Sequence, residues 1–286
     1  MCLILVAWQS HPDYPLIVAA NRDEFYARRT RPAAWWGQTV SLLAGRDEEA
    51  GGTWLGINRQ GRVAMLTNVR APDQPVTRTS SRGLLVLSAL QHSGSFDEWS
   101  RENERLSQGF RGFHLLVAEP LPAPVRGVDA RLACYTNRPE GGQSGWERNL
   151  APGIYGLSNA SLDTPWPKVT KAVSSFACQV AGRVAVEPLM KLMADRELAR
   201  ERELPRTGIP LDWERALSAV QIRANGYGTR ATTVLTVRRD GSVVFVERSF
   251  DSEAPHAFQD RRFEFVIDGT GQRAAALDAP RDGERN

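Results

Sequence analysis

The chain has few of the residues from which disulfide frameworks and metal sites are built. Its 286 residues include three cysteines and four histidines. No two cysteines are close in sequence, and no two histidines stand at the helical spacing of paired metal ligands. The sequence therefore predicts neither a disulfide scaffold nor a metal site. The cysteines are Cys2, Cys134 and Cys178, and the histidines are His11, His92, His114 and His256.

Long apolar runs and a large excess of one charge are also missing. No stretch approaches the roughly 18 apolar residues of a membrane helix, and the run at 2–8 is too short for a signal-peptide core. Thirty-six basic residues are nearly balanced by thirty-three acidic ones, so no concentrated positive field marks a nucleic-acid binder. We therefore expect a cytoplasmic protein that takes a small-molecule substrate or ligand, without a membrane span or a nucleic-acid partner. The oligomeric state is left open.

Strand patterns dominate both ends of the chain. Apolar runs at 3–8 and 15–21 are joined by a turn rich in Pro and Asp, and hairpins are predicted across 58–61 and across Asp240-Gly241. Such turns favour antiparallel sheets, and the near-continuous apolar character of the first two runs fits strands buried on both faces. Further strands are predicted at 112–118, 131–136 and 261–267.

Helical patterns lie mainly in the middle of the chain. Apolar residues recur at helical spacing within 82–108, after Pro167 and at 186–202. Strands at both ends with helices between them predict an α+β fold. No linker rich in Gly, Ser or Pro interrupts the chain, so we predict one domain over residues 1–272 and a flexible tail at 273–286.

Cys2 stands directly after Met1 and ahead of a strand-like apolar run. By residue type alone it would be a small buried hydrophobic residue. If Met1 is removed, however, the thiol and a free α-amine belong to the same residue. Their ordinary pKa values are close enough for the amine to act as a base towards the thiol near neutral pH. We therefore expect Cys2 to be an N-terminal nucleophile.

The polar cluster NRDE closes the second apolar run. A short turn between two antiparallel strands places the end of the second strand beside the start of the first. Asn21, Arg22, Asp23 and Glu24 are therefore predicted to lie near Cys2. A carboxylate there would bind or orient the amine, and an arginine would favour the thiolate. The alternative interpretation is an ordinary salt-bridged turn.

Three later stretches also place an amide or guanidinium at the edge of an apolar run. They are TNVR with Asn68, GLSNA with Asn159 and GTRATT with Arg230. Amide groups are suitable donors to an oxyanion. Each residue alone is as well explained by turn chemistry or by a surface charge, whereas together they favour a site.

Two tryptophan-containing segments have alternative interpretations. Trp54, in GGTWLGIN, belongs either to a turn into a core strand or to the wall of a ligand site. The paired tryptophans of AAWW, residues 33–36, predict a lid or an interaction patch on a loop, because exposed indoles are costly.

These motifs, taken in order, resemble those of the NRDE-motif family, also called the transport and Golgi organisation protein 2 family. The resemblance rests on Met1-Cys2, NRDE, GGTWLGIN, TNVR, YGLSNA with DTPWPKV, and GTRATTVL, and it runs from residue 1 to about residue 250. It implies an N-terminal nucleophile hydrolase-like fold, which is a four-layer αββα sandwich of two antiparallel sheets flanked by helices.

The resemblance also implies site residues, because related choloylglycine hydrolases and penicillin acylases cleave non-peptide amides. By motif, the catalytic residues would be Cys2, Arg22, Asp23, Asn68, Asn159 and Arg230. Asn21, Glu24 and Trp54 would contact the substrate. In those hydrolases the early Arg and Asp are three positions apart, whereas Arg22 and Asp23 are adjacent. The division of roles within 21–24 therefore stays open.

Cys2 and the resemblance together predict an N-terminal cysteine hydrolase or acyltransferase that acts on a non-peptide linear amide or thioester and requires no cofactor. Animal members of the family are associated with haem trafficking and with acyl-CoA lipid metabolism. The alternative is therefore a non-catalytic protein that binds or traffics haem or acyl-CoA in the same cleft. No axial haem ligand stands out, since His114 lies inside an apolar run and is interpreted as a core residue.

Overall fold

The structure is a computed structural model that describes residues 2–36, 41–70, 80–104, 109–119, 121, 130–137, 145–147, 149–251 and 257–268. Met1 and the predicted tail at 273–286 lie outside the described residues. The described strands are β1 (Cys2–Trp8), β2 (Leu16–Phe25), β3 (Thr30–Trp36), β4 (Leu42–Asp47), β5 (Leu55–Asn58), β6 (Val63–Asn68), β7 (Phe113–Glu119), β8 (Arg131–Thr136), β9 (Gly145–Glu147), β10 (Gly153–Leu157), β11 (Arg223–Ala224), β12 (Tyr227–Val237), β13 (Ser242–Phe250) and β14 (Phe258–Val266). The described helices are α1 (Gly83–Gln91), α2 (Phe96–Glu104), α3 (Pro167–Val180), α4 (Val186–Met193) and α5 (Leu211–Ala216).

The strands form two antiparallel sheets. The first has the order β10-β1-β2-β12-β13-β14, with β11 paired to β12, and the second has the order β3-β4-β5-β6-β7-β8-β9. Consecutive strands are hairpin neighbours through most of the second sheet. In the first sheet, β12 returns from late in the chain to pair with β2. The N-terminal strand β1 therefore lies inside its sheet, between β10 and β2.

Alternation along β2 shows how the layers are arranged. Val18 and Ala20 point into a core shared by the two sheets, whereas Ile17 and Ala19 point into a second core formed with α3 and α4. Because both faces of the strand are buried, its sequence is apolar without a break. Helices α1 and α2 cover the other side of the second sheet through a third core. The predicted α+β four-layer αββα sandwich is confirmed.

The helical spacing within 82–108 is confirmed as two helices. The second helix, α2, begins with a capping box, in which Ser95 Oγ accepts a hydrogen bond from the Glu98 backbone N–H at 3.3 Å and the Glu98 carboxylate accepts one from the Ser95 N–H at 2.7 Å. This reciprocal pair fixes where the helix starts.

The helix predicted over 186–202 is shorter than its sequence pattern indicates. Helix α4 ends at Met193, and only a single 3-10 turn at Glu201–Glu203 follows. The residues after Met193 form hydrogen bonds that a helix would not allow. The Asp195 carbonyl accepts a hydrogen bond from the Gln221 N–H at 2.7 Å, and the Asp195 carboxylate accepts one from the Glu197 N–H at 2.9 Å. Tertiary hydrogen bonds here override local helix propensity.

The prediction that residues 33–36 lie on a loop is wrong. These residues belong to β3. The Trp35 ring meets Phe265 edge-on with the centroids 4.9 Å apart, and Trp36 Nε1 donates a hydrogen bond to the Ala44 carbonyl at 3.0 Å. Both indoles therefore pack against the fold.

Glu247 on β13 is a carboxylate buried between the sheets. Its side chain accepts a hydrogen bond from the Ala33 N–H at 2.6 Å, which ties the first sheet to β3 of the second. Burial raises the pKa of Glu247 from 4.5 to about 7, against the opposing effects of that hydrogen bond and of the Arg22 charge. The protonated form is therefore the one that the fold prefers.

This pKa predicts how stability depends on pH. A carboxyl whose pKa is higher in the folded state than in the unfolded state binds more protons when folded, so its contribution to stability falls as the pH rises from about 4.5 to about 7. Glu247→Gln keeps an acceptor for Ala33 and cannot ionise. We expect the variant to be more stable than the parent at pH 8, by up to about 3 kcal/mol, and similar at pH 5.

Urea unfolding at both pH values measures this difference. The control is Glu264→Gln, which removes a carboxylate that is 61% exposed from the neighbouring strand β14. A Glu247→Gln variant that is no more stable than the parent at pH 8 would contradict the prediction.

Candidate functional site

A cavity of about 420 Å³ lies between the ends of the two sheets, where β1 begins. Six of the predicted site residues line it, namely Cys2, Arg22, Asp23, Glu24, Trp54 and Asn68. The remaining three, Asn21, Asn159 and Arg230, do not. The six lining residues come from separate parts of the sequence, and the pairing registers of the strands determine which side chains face the cavity.

Cys2 is the first residue of β1 and sits directly opposite Arg22 in the β1–β2 register. Its side chain is 8% exposed, and Ser158 Oγ donates a hydrogen bond to its carbonyl at 3.2 Å. Burial is the main influence on the thiol and raises its pKa, while the charge of Arg22 lowers it. The thiol therefore reaches the cavity from a strand that is fixed on both sides.

Arg22 and Trp54 form one wall of the cavity together. The guanidinium carbon of Arg22 lies 4.3 Å from the centre of the Trp54 ring, which is a cation–π contact. Arg22 Nη1 also donates a hydrogen bond to Thr30 Oγ1 at 2.9 Å, and Nη2 is 3.8 Å from the Asp47 carboxylate. Trp54 thus holds the orientation of the charge that faces Cys2.

Asp23 receives hydrogen bonds from β12 because that strand contains a bulge. The β2–β12 register shifts between Thr229 and Ala231, so Arg230 is the extra residue and Thr229 lies opposite Asp23. Thr229 Oγ1 donates to Asp23 Oδ1 at 2.6 Å, and the Tyr227 hydroxyl donates to the Asp23 carbonyl at 2.9 Å. Burial raises the pKa of Asp23, and the nearby Lys168 charge opposes that rise.

Lys168 was not predicted to belong to the site. It lies in the first turn of α3, directly after Pro167, with its side chain 3% exposed. Among the described residues its Nζ has no hydrogen-bond partner. Burial lowers the pKa of Lys168 to about 8, and the charges of Asp23 and Cys2 act in the opposite direction. A polar residue at the first turn of a helix, in DTPWPKV, is the sequence signal that points to it.

The two asparagines of the later motifs are brought together. Asn159 Nδ2 donates a hydrogen bond to the Asn68 carbonyl at 2.8 Å, and Asn159 Oδ1 accepts one from Ser158 Oγ at 3.2 Å. The Asn159 carbonyl accepts a third from the Arg70 N–H at 2.8 Å. Asn159 therefore supports the end of β6, and the Asn68 side chain faces the cavity.

Asn21 faces the helical layer. Its Nδ2 donates to the carbonyls of Met193 and Val220, both at 2.9 Å, and its Oδ1 accepts a hydrogen bond from Thr232 Oγ1 at 2.6 Å. All of these partners are structural, and they join β2 to α4 and β12. The Asn21 side chain therefore stabilises the fold and does not line the cavity.

Arg230 holds the turn that follows β2. Its Nη1 donates hydrogen bonds to the carbonyls of Phe25, Tyr26 and Arg28 at 2.9, 3.0 and 3.0 Å. Because Arg230 is the extra residue of the bulge, its side chain is directed at this turn. Glu24, which lines the cavity, lies 4.0 Å from Arg28 in the same segment.

Another part of the cavity lining comes from residues that the motifs did not mark. Ser81, Arg82 and Gly83 at the start of α1 line the cavity, as does Arg111. The helix start is pressed against the GGTW loop, since a Cβ added at Gly52 would meet the Gly83 carbonyl carbon at 2.5 Å. Only glycine permits this approach.

The described residues offer neither a metal site nor a membrane-spanning helix. They contain no group of three or more His, Cys, Asp or Glu side chains able to hold a metal ion. None of their helices has both the length and the apolar character needed to cross a membrane. His114 is buried within β7, as expected of a core residue.

The fold and the site define a class of protein: a four-layer αββα sandwich with a cysteine at the first residue of an inner strand, facing a cavity. The family model described as Transport and Golgi organisation 2 matches residues 1–252, and the chain belongs to this family. The resemblance inferred from the ordered motifs is confirmed.

Curated relatives share this family name. The Transport and Golgi organization protein 2 homolog of Bos taurus is 36% identical over 294 residues, covering 93% of this chain and 99% of that protein. The Homo sapiens homolog is 34% identical with the same coverage. The Drosophila melanogaster protein is 28% identical, covering 90% of this chain and 94% of its own length.

Solved structures with a related arrangement are distant in sequence. An N-acylethanolamine-hydrolyzing acid amidase ortholog from Caenorhabditis elegans has a TM-score of 0.44 and 11% identity, covering 82% of this chain and 92% of its own. The mutant C2A conjugated bile acid hydrolase from Clostridium perfringens has a TM-score of 0.39 and 10% identity, covering 93% and 98%.

The position of Lys168 yields a prediction about the reactivity of Cys2. A cation near the thiol favours the thiolate. Lys168→Met removes the charge and keeps the length and burial of the side chain. We expect the pH midpoint for alkylation of Cys2 by iodoacetamide to move upward and the rate at pH 7 to fall by about tenfold or less.

Peptide mapping by mass spectrometry locates the alkylated residue. A Cys178→Ser background removes the exposed cysteine that would also react. Lys171→Met, on the same helix but 45% exposed, is the matched control. An unchanged midpoint in Lys168→Met would show that the buried ammonium does not act on the thiol.

Proposed function

We propose that the chain is an N-terminal cysteine hydrolase or acyltransferase that acts on a non-peptide linear amide or thioester. The observation that carries this proposal is the placement of the Cys2 thiol at the start of β1, opposite Arg22 and within the same cavity as Asp23 and Asn68. A nucleophile, a cation and a carboxylate therefore converge at one end of a rigid sheet.

In the proposed reaction, the thiol of Cys2 loses its proton to the α-amine that removal of Met1 would expose. The sulfur attacks the carbonyl carbon, and the carbonyl oxygen becomes an oxyanion. When the carbon–nitrogen or carbon–sulfur bond breaks, the leaving group takes the proton from the ammonium. The acyl group, now a thioester on Cys2, is then transferred to water or to an acceptor.

The contacts divide the supporting roles. Asn68 faces the cavity, so its side-chain amide is the donor to the oxyanion. Asn159 positions Asn68 through its hydrogen bond to the Asn68 carbonyl. Asp23, oriented by Thr229, holds the amine, and Arg22 favours the thiolate. Arg230 acts indirectly, by fixing the turn at 25–28.

A second candidate is a non-catalytic protein that binds haem or acyl-CoA in the same cavity. One observation favours it: burial raises the pKa of the Cys2 thiol, and a protonated thiol is a poor nucleophile. In that case the polar cluster around Asp23 would serve to bind a ligand, without turnover.

An acyl probe separates the two candidates. Wild-type protein incubated with a reactive acyl thioester should gain the mass of one acyl group at Cys2. In a Cys178→Ser background, the Cys2→Ala variant should gain none, because no other cysteine lines the described cavity. The small buried replacement should leave the fold intact, and the variant should lose essentially all hydrolysis. Intact mass and peptide mapping provide the measurement.

The same spectra show whether Met1 is absent from the purified chain. A retained Met1 would turn the basic amine into an amide nitrogen and would favour the binding candidate. Cys178→Ala is the control, since this exposed cysteine lies outside the cavity. Full turnover by Cys2→Ala would exclude the cysteine mechanism.

A further inference from the structure

The carboxylates on the cavity wall are already engaged within the chain. Asp47 lies 2.8 Å from Arg28 and 3.8 Å from Arg22, and Glu24 accepts a hydrogen bond from the Phe25 N–H at 2.9 Å while lying 4.0 Å from Arg28. Asp23 accepts a hydrogen bond from Thr229. These three carboxylates therefore already have partners within the chain.

The cavity lining also contains two arginines, one at the start of α1 and one just before β7. Arg82 and Arg111 both line the cavity, and in the described part of the chain neither forms an ion pair with a carboxylate. Arg82 Nη1 donates a hydrogen bond to the Gly112 carbonyl at 3.0 Å, which fixes Arg82 beside Arg111. Burial lowers the pKa of Arg82 and the charge of Arg111 lowers it further, against opposing effects of Glu24 and Cys2. Two like charges are thus held together on one wall.

The start of α1 adds to this field. Arg82 is its N-cap, no side chain caps the first turn, and the first turn contains no acidic residue. The positive end of the helix dipole therefore faces the same wall without compensation from its own helix. Because like charges destabilise each other when held together, the arrangement is explained most simply by an anion that binds between them.

We propose that Arg82 and Arg111 bind a carboxylate or phosphate group on the ligand of this cavity. Guanidinium groups recognise both anions through paired hydrogen bonds. The rest of the lining suits an acyl group, since Phe25, Leu66 and Trp213 supply apolar surface. The ligand class is therefore a small acyl compound with an anionic end. As a statement about a substrate, it rests on the proposed function.

Binding is measured without turnover, by titration calorimetry on the full chain carrying Cys2→Ala. Three probes share an octanoyl chain and differ only at the other end. N-octanoylglycine has a carboxylate, N-octanoylaminomethylphosphonate has a phosphonate, and N-octanoylglycinamide is neutral. We expect at least one anionic probe to bind about tenfold tighter than the amide or more. The better anionic probe indicates whether the site prefers a carboxylate or a phosphate.

Variants then assign the preference to the two arginines. Arg82→Gln and Arg111→Gln should each remove most of it, while Arg82→Lys should keep part of it because the charge remains. Arg29→Gln is the control, since it deletes one positive charge from a residue that is 79% exposed and outside the cavity lining. Circular dichroism confirms that each variant is folded, and Arg111→Gln changes an exposed side chain.

The proposal is overturned if the neutral and anionic probes bind equally, if no probe binds, or if the preference survives both glutamine substitutions. This outcome is distinct from failure of the hydrolase proposal. Anion-selective binding with no acylation of wild-type Cys2 would support the subsite and exclude catalysis. Acylation of Cys2 without any selectivity for anions would do the reverse.

Discussion

The register between β1 and β2 is the constraint on which the site depends. It sets Cys2 directly opposite Arg22 and leaves Asp23 on the other face of the same strand. A slip of one residue would exchange the faces, and would place Asp23 between the sheets and Val18 among the helices. Such a slip is opposed on both sides, since each face of β2 is packed in its own core. The apolar layers therefore determine the chemistry at the strand end.

A second constraint is the bulge at Arg230, which breaks the alternation of β12 beside the site. In the part of β12 that follows Arg230, Leu235 faces the sheet interface and Val234 faces the helices. Just before Arg230, the shift in register brings Thr229 opposite Asp23, and the Thr229 hydroxyl donates a hydrogen bond to the Asp23 carboxylate. The inserted residue thus has two effects. It brings Thr229 opposite Asp23, and its own guanidinium holds the turn that follows β2.

Local patterns in the sequence were sufficient for the α+β class, for antiparallel strands buried on both faces and for the nearness of Cys2 to residues 21–24, whereas the four-layer arrangement was implied by the family resemblance. Strands buried on two faces read as unbroken apolar runs, and a short hairpin fixes which ends meet. The bulge could not be predicted in this way, because it exists only relative to β2, some two hundred residues earlier. For the same reason, Asn21 and Arg230 carried no sign that their side chains would be used by backbone carbonyls.

Other parts of the site depend on packing between distant segments. Lys168 joins it only because α3 docks on β1 and β10. Arg82 and Arg111 both lie in the long connection between β6 and β7, on either side of α1 and α2, and neither belongs to a recognisable motif. The tryptophans at 35 and 36 illustrate the converse error, since they were predicted to lie on a loop and instead belong to a strand paired with β4.

The contact between Gly52 and Gly83 has a consequence for how the cavity adapts to what enters it. Backbone packed on backbone has no rotamers to exchange, so the wall at the start of α1 keeps one shape. The segment at 25–28 is also held, because the Arg230 guanidinium bonds to three of its carbonyls. A cavity held at both places selects its guests by their fit to an existing shape, without rearranging around them.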